Sequence, residues 1–537
     1  MDAVFKRMCS LTRDDLAFIA VPLSIALVFL RLAKFARRPR TTRLPGPTST
    51  SFIFGVTKDI SESEDSGVVF EEWEKQYGAV YAIPTMLGAR EIVLCDPKAI
   101  AHYYAGDTFT FQQPPDSRFL MGHFFGHNVL WAEGETHKRH VEPLQRRSLS
   151  PAFSNAAIRE LTPVFYDSAY TLKTNWDISL ENSTDDQGVV IDVQKWLDSI
   201  GAGGFSHDFG SLKGHISPIA AAFHTFNNVK PSPTIIVWFL LTSVFPFLGR
   251  LPNEYTTGFV KLRESVRAIA DELLERARLE KEANLSEGAA DKSIIGSLAR
   301  SETASSSVHL SLDEIVAQNL FILAGYETTA ISLTWPLIEL CRHPEKQTKL
   351  REELSQFTDT DPTYEQLTNS LPYLDALVSE SLRLHPPMSK TKRQAHADNV
   401  LPLTHPVHGL DSVFVARGTT VRVPISCINR SEAFWGPDAK MFRPERWLDG
   451  SLEGMRAAEV QGVRHLLTFV DGPRTCLGRA FALTEFKAVL SVLIRNFTFE
   501  LPGGPETPIG RHRGILPRPK VVGEEGPKVP LLIRRVQ

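Results

Sequence analysis

A cysteine at position 476 sits in a frame of fixed residue types: Phe469 seven residues before it, Gly472 four before, Arg474 two before and Gly478 two after. The frame constrains the fold strongly, because each member has a physical task and all must meet around one sulfur. A cysteine binds metal as the thiolate, and a helix N-terminus or a nearby cation lowers its pKa. Residues 477–490 carry apolar side chains at three- and four-residue spacing and predict a helix beginning beside Cys476. The sulfur would then lie at the positive end of a helix dipole, where backbone N–H groups can bond it and tune a metal. Gly472 and Gly478 permit a tight turn and close approach to a flat ligand. Arg474 offers a fork of donors to a carboxylate, and Phe469 offers an apolar cover for the sulfur. A cysteine taken alone is more often a small buried apolar residue; the frame favours the metal-ligand reading.

A second segment is locally poor helix design. Ser311 to Glu314 reads as a capping box that opens a helix running to about Trp335, with Pro336 beyond it. Inside it lies Ala324-Gly325-Tyr326-Glu327-Thr328-Thr329. Glycine and threonine both lower helix propensity, and a threonine hydroxyl that bonds the carbonyl four residues back bends a helix. Such local conflicts mark functional sites. A bend here makes room for a small molecule beside a hydroxyl and a carboxylate that can move protons.

Further along come Glu380 and Arg383 at i, i+3 spacing on one face of an amphipathic helix, then His385, Pro386 and Pro387, then Arg393 ahead of a strand-like segment. Phe442-Arg443-Pro444-Glu445-Arg446-Trp447 follows. The order and spacing of these segments resemble the cytochrome P-450 family from Leu44 to the C-terminus. The resemblance implies a mainly α fold with a smaller β region, one domain around a buried haem b. Cys476 is then the axial ligand of the haem iron, within the frame of Phe469, Gly472, Arg474 and Gly478. A thiolate ligand pushes electron density onto iron and favours O–O cleavage. Glu327 and Thr328 become the proton-delivery pair. Glu380, Arg383 and Arg446 become a structural charge network behind the haem. Arg474 and Arg393 become propionate partners.

The resemblance also assigns His137, after Gly134 and Glu135, to the helix that reaches the other propionate. Here the chain departs from the family pattern. The arginine expected four residues after His137 is Val141. Reading 141–145 as a five-residue insertion brings Arg146 into register, with Pro143 interrupting the helix. The implied activity is a monooxygenase that takes electrons from NADPH through NADPH–cytochrome P-450 reductase, with cytochrome b5 a further candidate donor. NADPH itself is not bound by this chain. A fungal tailoring role in secondary metabolism, on a terpenoid-like molecule, rests on the resemblance alone. Two other classes stand beside it: a reductase-independent isomerase or peroxide-using haem-thiolate enzyme, and a non-catalytic haem sensor.

The 537 residues carry a net charge of −3, which points away from nucleic acid as a partner. Five scattered cysteines do not form a disulfide framework, and without CxxC or HExxH a zinc site has little support. Residues 16–30 are uncharged and strongly apolar but for Pro22, Leu32 and Ala33 extend the run past a snorkelling Arg31, and Lys34, Arg37, Arg38, Arg40 and Arg43 follow. They predict a single-pass endoplasmic-reticulum anchor with the catalytic domain in the cytosol; the basic block argues against a cleaved signal peptide. The expected organisation is a short segment at 1–15, the anchor at 16–33, a basic stretch and proline-rich hinge at 34–47 and a catalytic domain at 48–537. Phe109, Phe111, Phe119, Phe124 and Phe125 are expected to roof a pocket for a lipophilic substrate, or in part to serve as core. The apolar run 234–248 is too short to span; membrane-interface contact and core packing remain equal readings.

Overall fold

The structure is a computed structural model that describes residues 41–49, 51–128, 130–135, 137, 153–183, 188–198, 238, 242, 248–249, 251–282, 320–512, 514 and 516–536. The expected anchor at 16–33, the capping box at 311–314, Arg146 and the insertion at 141–145 lie outside the described residues. So does most of the run 234–248. Among the described residues no helix is long and apolar enough to cross a membrane.

The principal helices are α1 (Ser66–Tyr77), α2 (Pro97–Ala105), α3 (Pro115–Phe125), α4 (Asn155–Glu181), α5 (Val193–Leu197), α6 (Glu254–Glu282), α7 (Leu320–Arg342), α8 (Pro344–Leu354), α9 (Pro372–Leu384), α10 (Ile425–Arg430) and α11 (Arg479–Asn496). The strands are β1 (Val80–Pro84), β2 (Arg90–Leu94), β3 (Phe111–Gln112), β4 (Val189–Asp192), β5 (Thr391–Ala395), β6 (Asn399–Val407), β7 (Leu410–Val415), β8 (Thr420–Val423), β9 (Phe497–Glu500), β10 (Ile509–His512), β11 (Arg518–Val521) and β12 (Pro530–Arg535). The main sheet has the order β1-β2-β8-β5-β3, with β2 and β8 parallel and the other neighbours antiparallel. A smaller sheet runs β4-β12-β9, and β6-β7 and β10-β11 are hairpins.

Two cores follow from the apolar patterning. The helical core packs α4, α7, α9 and α11 together, closed by β9 and β12. Ser154 caps α4 by accepting from the Ala157 N–H at 3.2 Å. Ile158, Leu161, Phe165, Ala169, Leu172 and Trp176 then form its buried stripe at helical spacing. Burying a side chain such as Phe165 stabilises by about 1.5–3 kcal/mol. The second core joins the main sheet to α2 and includes Leu44 and Phe111.

Two features differ from expectation. Helix α7 continues through Pro336 to Arg342 instead of stopping near Trp335. A proline in a helix interior costs about 3 kcal/mol, but α7 is buried from Tyr326 to Cys341 except at Thr328, and packing on α9, α11 and β9 outweighs that cost. Helix α9 is buried almost all round, from Tyr373 to Leu384, rather than amphipathic. The proline-rich stretch also docks on the sheet: the Pro45 carbonyl accepts from the Ala82 N–H at 2.9 Å. A Cβ on Gly46 would come within 1.9 Å of the Ala82 oxygen.

Candidate active site

Cys476 lies between a short helical turn at Gly472–Arg474 and the start of α11 at Arg479. Its backbone N–H donates to the Phe469 carbonyl at 3.0 Å, which closes the loop. Gly472 holds φ +71°, and a Cβ there would stand 2.3 Å from the Tyr104 carbonyl oxygen, so glycine is required twice over. Val470 is also left-handed at φ +61°, an unfavourable conformation for a β-branched residue and a sign of imposed strain. Gly478 has an ordinary φ of −81°. A Cβ there would meet only the Phe153 ring at 3.7 Å, so its backbone conformation does not demand glycine. Phe469 packs, partly buried, against the helical core.

The sulfur combines two properties. Cys476 keeps an accessible surface, yet the surrounding protein is dense enough to push its thiol above the usual range; the Gly478 N–H and the Arg479 charge pull partly the other way. Both hold for a sulfur that faces an interior cleft. Helix α7 packs on α11. Within α7, Ala324 is exposed and Gly325 and Thr328 are half-buried, while Tyr326, Glu327 and Thr329 are buried. Ala324 and Thr328, four residues apart, share one open face, while Tyr326, Glu327 and 329–341 are buried.

The two residues expected to move protons have different surroundings. The Thr328 hydroxyl donates to the Ala324 carbonyl at 2.6 Å, the back-bond its position predicts. Glu327 is buried and paired with Arg518 of β11, Nε to Oε1 at 3.3 Å. Arg518 in turn holds both oxygens of Asp198, at 3.0 and 2.9 Å. Beside them, Thr329 hydrogen-bonds Glu485 of α11, and burial pushes the Glu485 carboxyl up to about 8. Sequence reasoning missed Arg518, Asp198 and Glu485. Glu485 lies nine residues after Cys476, an acid in the largely apolar helical stretch 481–490, which is a signal that could have found it.

Glu380, Arg383 and Arg446 come together and are fully buried. Arg383 forks onto Glu380 at 2.9 and 2.8 Å, and Arg446 Nε donates to Glu380 at 3.0 Å. The remaining donors are satisfied by carbonyls and one carboxylate: Arg383 Nη1 by the Asn429 carbonyl at 2.9 Å and the Ala439 carbonyl at 2.6 Å, Arg446 Nη2 by the Asp438 carbonyl at 2.9 Å and Arg446 Nη1 by the Asp438 carboxylate at 3.3 Å. Trp447 Nε1 also donates to Glu380, at 3.1 Å.

Arg393 and Arg474, read as propionate partners, carry protein partners that sequence reasoning missed. Arg393, on β5, donates to Asp107 at 3.0 Å. Arg474 lies 3.4 Å from the same Asp107 oxygen and 2.7 Å from Glu133 Oε2. The Arg474–Glu133 approach is an ion pair without hydrogen-bond alignment, since Glu133 Oε2 and Arg474 Nε both lack a hydrogen-bond partner among the described residues. Burial raises the Glu133 carboxyl, against the pull of Arg474. His137 is buried close by, its N–H donating to the Glu133 carbonyl at 3.1 Å. Of the phenylalanines expected to roof a pocket, Phe111 is core and Phe109 is exposed.

An enclosed sulfur with accessible surface, a small-residue helix face and a buried guanidinium N–H without a partner fit a flat, anionic iron macrocycle bound through a thiolate. The comparisons agree. A profile of the family "Cytochrome P450" matches residues 44–522. The cytochrome P450 monooxygenase claW of Ampulloclitocybe clavipes is 51% identical over 522 residues, covering 95% of this chain and 96% of the relative. The monooxygenase claQ of the same fungus is 54% identical over 530 residues, covering 95% and 97%. Ganoderic acid synthetase CYP5150L8 of Ganoderma lucidum is 30% identical over 526 residues, covering 92% and 94%. The chain belongs to the cytochrome P450 family. It is therefore an oxygenase enzyme whose cofactor is haem b, with electrons from NADPH reaching it through a reductase.

Proposed function

We propose that this chain hydroxylates or epoxidises a lipophilic, terpenoid-like small molecule as a tailoring step in fungal secondary metabolism. The observation that carries the reading is the Cys476 sulfur, enclosed by protein yet accessible, just before α11, on which packs the helix that leaves Ala324 and Thr328 open. Likeness to monooxygenases and to a ganoderic acid synthetase supports it. In this reading Cys476 is the axial ligand of haem b. Arg393, Arg474 and His137 hold the propionates, with Arg146 as a further partner outside the described residues. When bound, the haem supplies thiolate-assisted dioxygen activation.

The protein's own residues do the rest. Gly472 and Val470 fix the loop so that the Gly478 N–H bonds the sulfur and tempers its charge. Thr328 keeps its hydroxyl proton on the Ala324 carbonyl at rest and releases it by rotating about χ1, so it delivers a proton only when an acceptor enters the cleft. Glu327, held by Arg518, lies next to Thr328 on the chain and relays to it a proton taken up from solvent. Glu380, Arg383 and Arg446 tie α9 to the segment leading into the Cys476 loop. The catalytic domain belongs on the cytosolic face of the endoplasmic reticulum, anchored through 16–33, with NADPH–cytochrome P-450 reductase and cytochrome b5 as electron partners.

The test is turnover of a panel of lipophilic terpenoids by the full chain in microsomes with reductase and NADPH. The reading expects a product containing one oxygen from labelled dioxygen. Product formed from peroxides without reductase would favour the isomerase class. Absence of turnover with every substrate, despite a normal haem spectrum, would favour a sensor.

A further inference from the structure

The five cysteines look scattered in the sequence, but the fold brings two of them together far from Cys476. Cys95 follows the end of β2, and Cys427 lies on α10. Both are fully buried. Glu74, near the end of α1, completes the group: the two sulfurs and one Glu74 oxygen all lie within 4.8 Å of one another. The Cys427 thiol donates to Glu74 Oε2 at 3.3 Å, and the two thiols are hydrogen-bonded to each other. Glu74 is half-buried, while both sulfurs are enclosed.

We infer that Cys95, Cys427 and Glu74 form a binding site for a borderline-soft divalent cation of the zinc class, clamping α1, β2 and α10 to one another. Two thiolates and a carboxylate are a donor set that zinc accepts, with Zn–S about 2.3 Å and Zn–O about 2.0–2.2 Å. Tetrahedral geometry at those lengths puts ligand atoms roughly 3.5–3.8 Å apart, so the cluster needs to contract by about an ångström at most. The fourth position goes to water entering beside Glu74.

A chain of hydrogen bonds from Cys95 through Cys427 to Glu74 would satisfy the thiols without metal. A second acid lies close by. Glu71, one turn earlier on α1, is 4% exposed. Its Oε1 has no hydrogen-bond partner among the described residues. Its charge acts on both Glu74 and Cys427. Lys440 and Arg430 neutralise part of it, at 2.8 and 3.5 Å, and Arg456 acts on Glu74 from further off. Tyr81 is not a ligand, because its hydroxyl donates to the Phe70 carbonyl. Glu71 thus has cations of its own, whereas Glu74, which touches the sulfurs, has no ion-pair partner among the described residues and is the charge a divalent cation would balance. Binding is a proton exchange: the metal enters, the two S–H bonds break, two Zn–S bonds form and two protons leave, so affinity rises with pH.

The test uses the full haem-loaded chain, stripped with a chelator, reloaded with zinc chloride and freed of excess. Mass spectrometry then gives zinc per chain, and X-ray absorption at the zinc edge, which haem iron does not disturb, gives its neighbours. One zinc with two sulfur neighbours at about 2.3 Å is expected. Cys95→Ser and Cys427→Ser should each remove one sulfur neighbour, and Glu74→Gln should keep both while weakening zinc by at least about tenfold. Cys341→Ser, a buried thiol elsewhere, should change neither readout. Zinc well below one per chain in the wild type overturns the inference. So does zinc with only nitrogen and oxygen neighbours, or zinc uptake unchanged in the Cys95→Ser/Cys427→Ser double variant. If the serine variants fail to incorporate haem, the wild-type absorption spectrum and Glu74→Gln still decide.

Discussion

Replacing Glu380 by glutamine is a sharp test of the buried charge network. Glu380 accepts from Arg383 Nε and Nη2, from Arg446 Nε, from the Arg443 backbone N–H and from Trp447 Nε1, all at 2.8 to 3.1 Å. Glutamine keeps one oxygen and turns the other acceptor into a donor that points at donors. The fully buried Arg383 then loses its one carboxylate partner among the described residues, and the fully buried Arg446 keeps only Asp438, at 3.3 Å. Breaking a buried ion pair by removing one partner costs about 3–5 kcal/mol, against a typical total stability of about 5–15 kcal/mol. Each 1.4 kcal/mol is about tenfold in an equilibrium constant, so the folded population should fall relative to unfolded by more than about a hundredfold. Arg456 and Glu459 share the same i, i+3 spacing but are 42% and 35% exposed. For such a surface pair about 0.2–0.5 kcal/mol is expected, and Glu459→Gln should be silent. The assay is haem incorporated per chain, read by the carbon monoxide difference spectrum, with denaturant unfolding alongside. Glu380→Gln with wild-type haem content and midpoint, or Glu459→Gln losing as much, would refute the reasoning.

Thr328→Ala removes a hydroxyl that makes only a back-bond within its own helix, so stability should change little, while peroxide release per NADPH should rise and product fall; unchanged coupling, measured as product per NADPH, would remove Thr328 from proton delivery. Glu485 has its carboxyl raised from 4.5 to about 8. Its neutral form is preferred in the fold, so its contribution to stability is whole below about pH 4.5 and is lost as pH rises to about 8. Glu485→Gln should therefore gain stability over wild type progressively across that window, in unfolding curves taken at several pH values; parallel curves would contradict the burial argument. Gly472→Ala forces a Cβ against the Tyr104 carbonyl in a left-handed turn and should abolish haem incorporation, read from the haem-to-protein absorbance ratio.

What the sequence could announce was whatever depends on neighbours along the chain. The helix after Cys476, the back-bond of Thr328 and the shared face of Glu380 and Arg383 are local, and all three appear in the structure. The end of α7 was misplaced because Pro336 is a local stop signal, while burial by distant helices is not local. The same limit hid Asp107 beside Arg393 and Arg474, and Asp198 with Arg518 behind Glu327, since each pair is joined only by tertiary contact. Cys95 and Cys427 read as unrelated thiols until β2 and α10 brought them side by side.

The central claim is that Cys476 is the thiolate ligand of the haem. The carbon monoxide difference spectrum of the reduced protein tests it, wild type against Cys476→Ser. The red-shifted Soret band of a thiolate-bound haem should appear in the wild type and vanish in the variant. An unshifted band in the wild type, or a shifted one that survives in Cys476→Ser, would contradict the account.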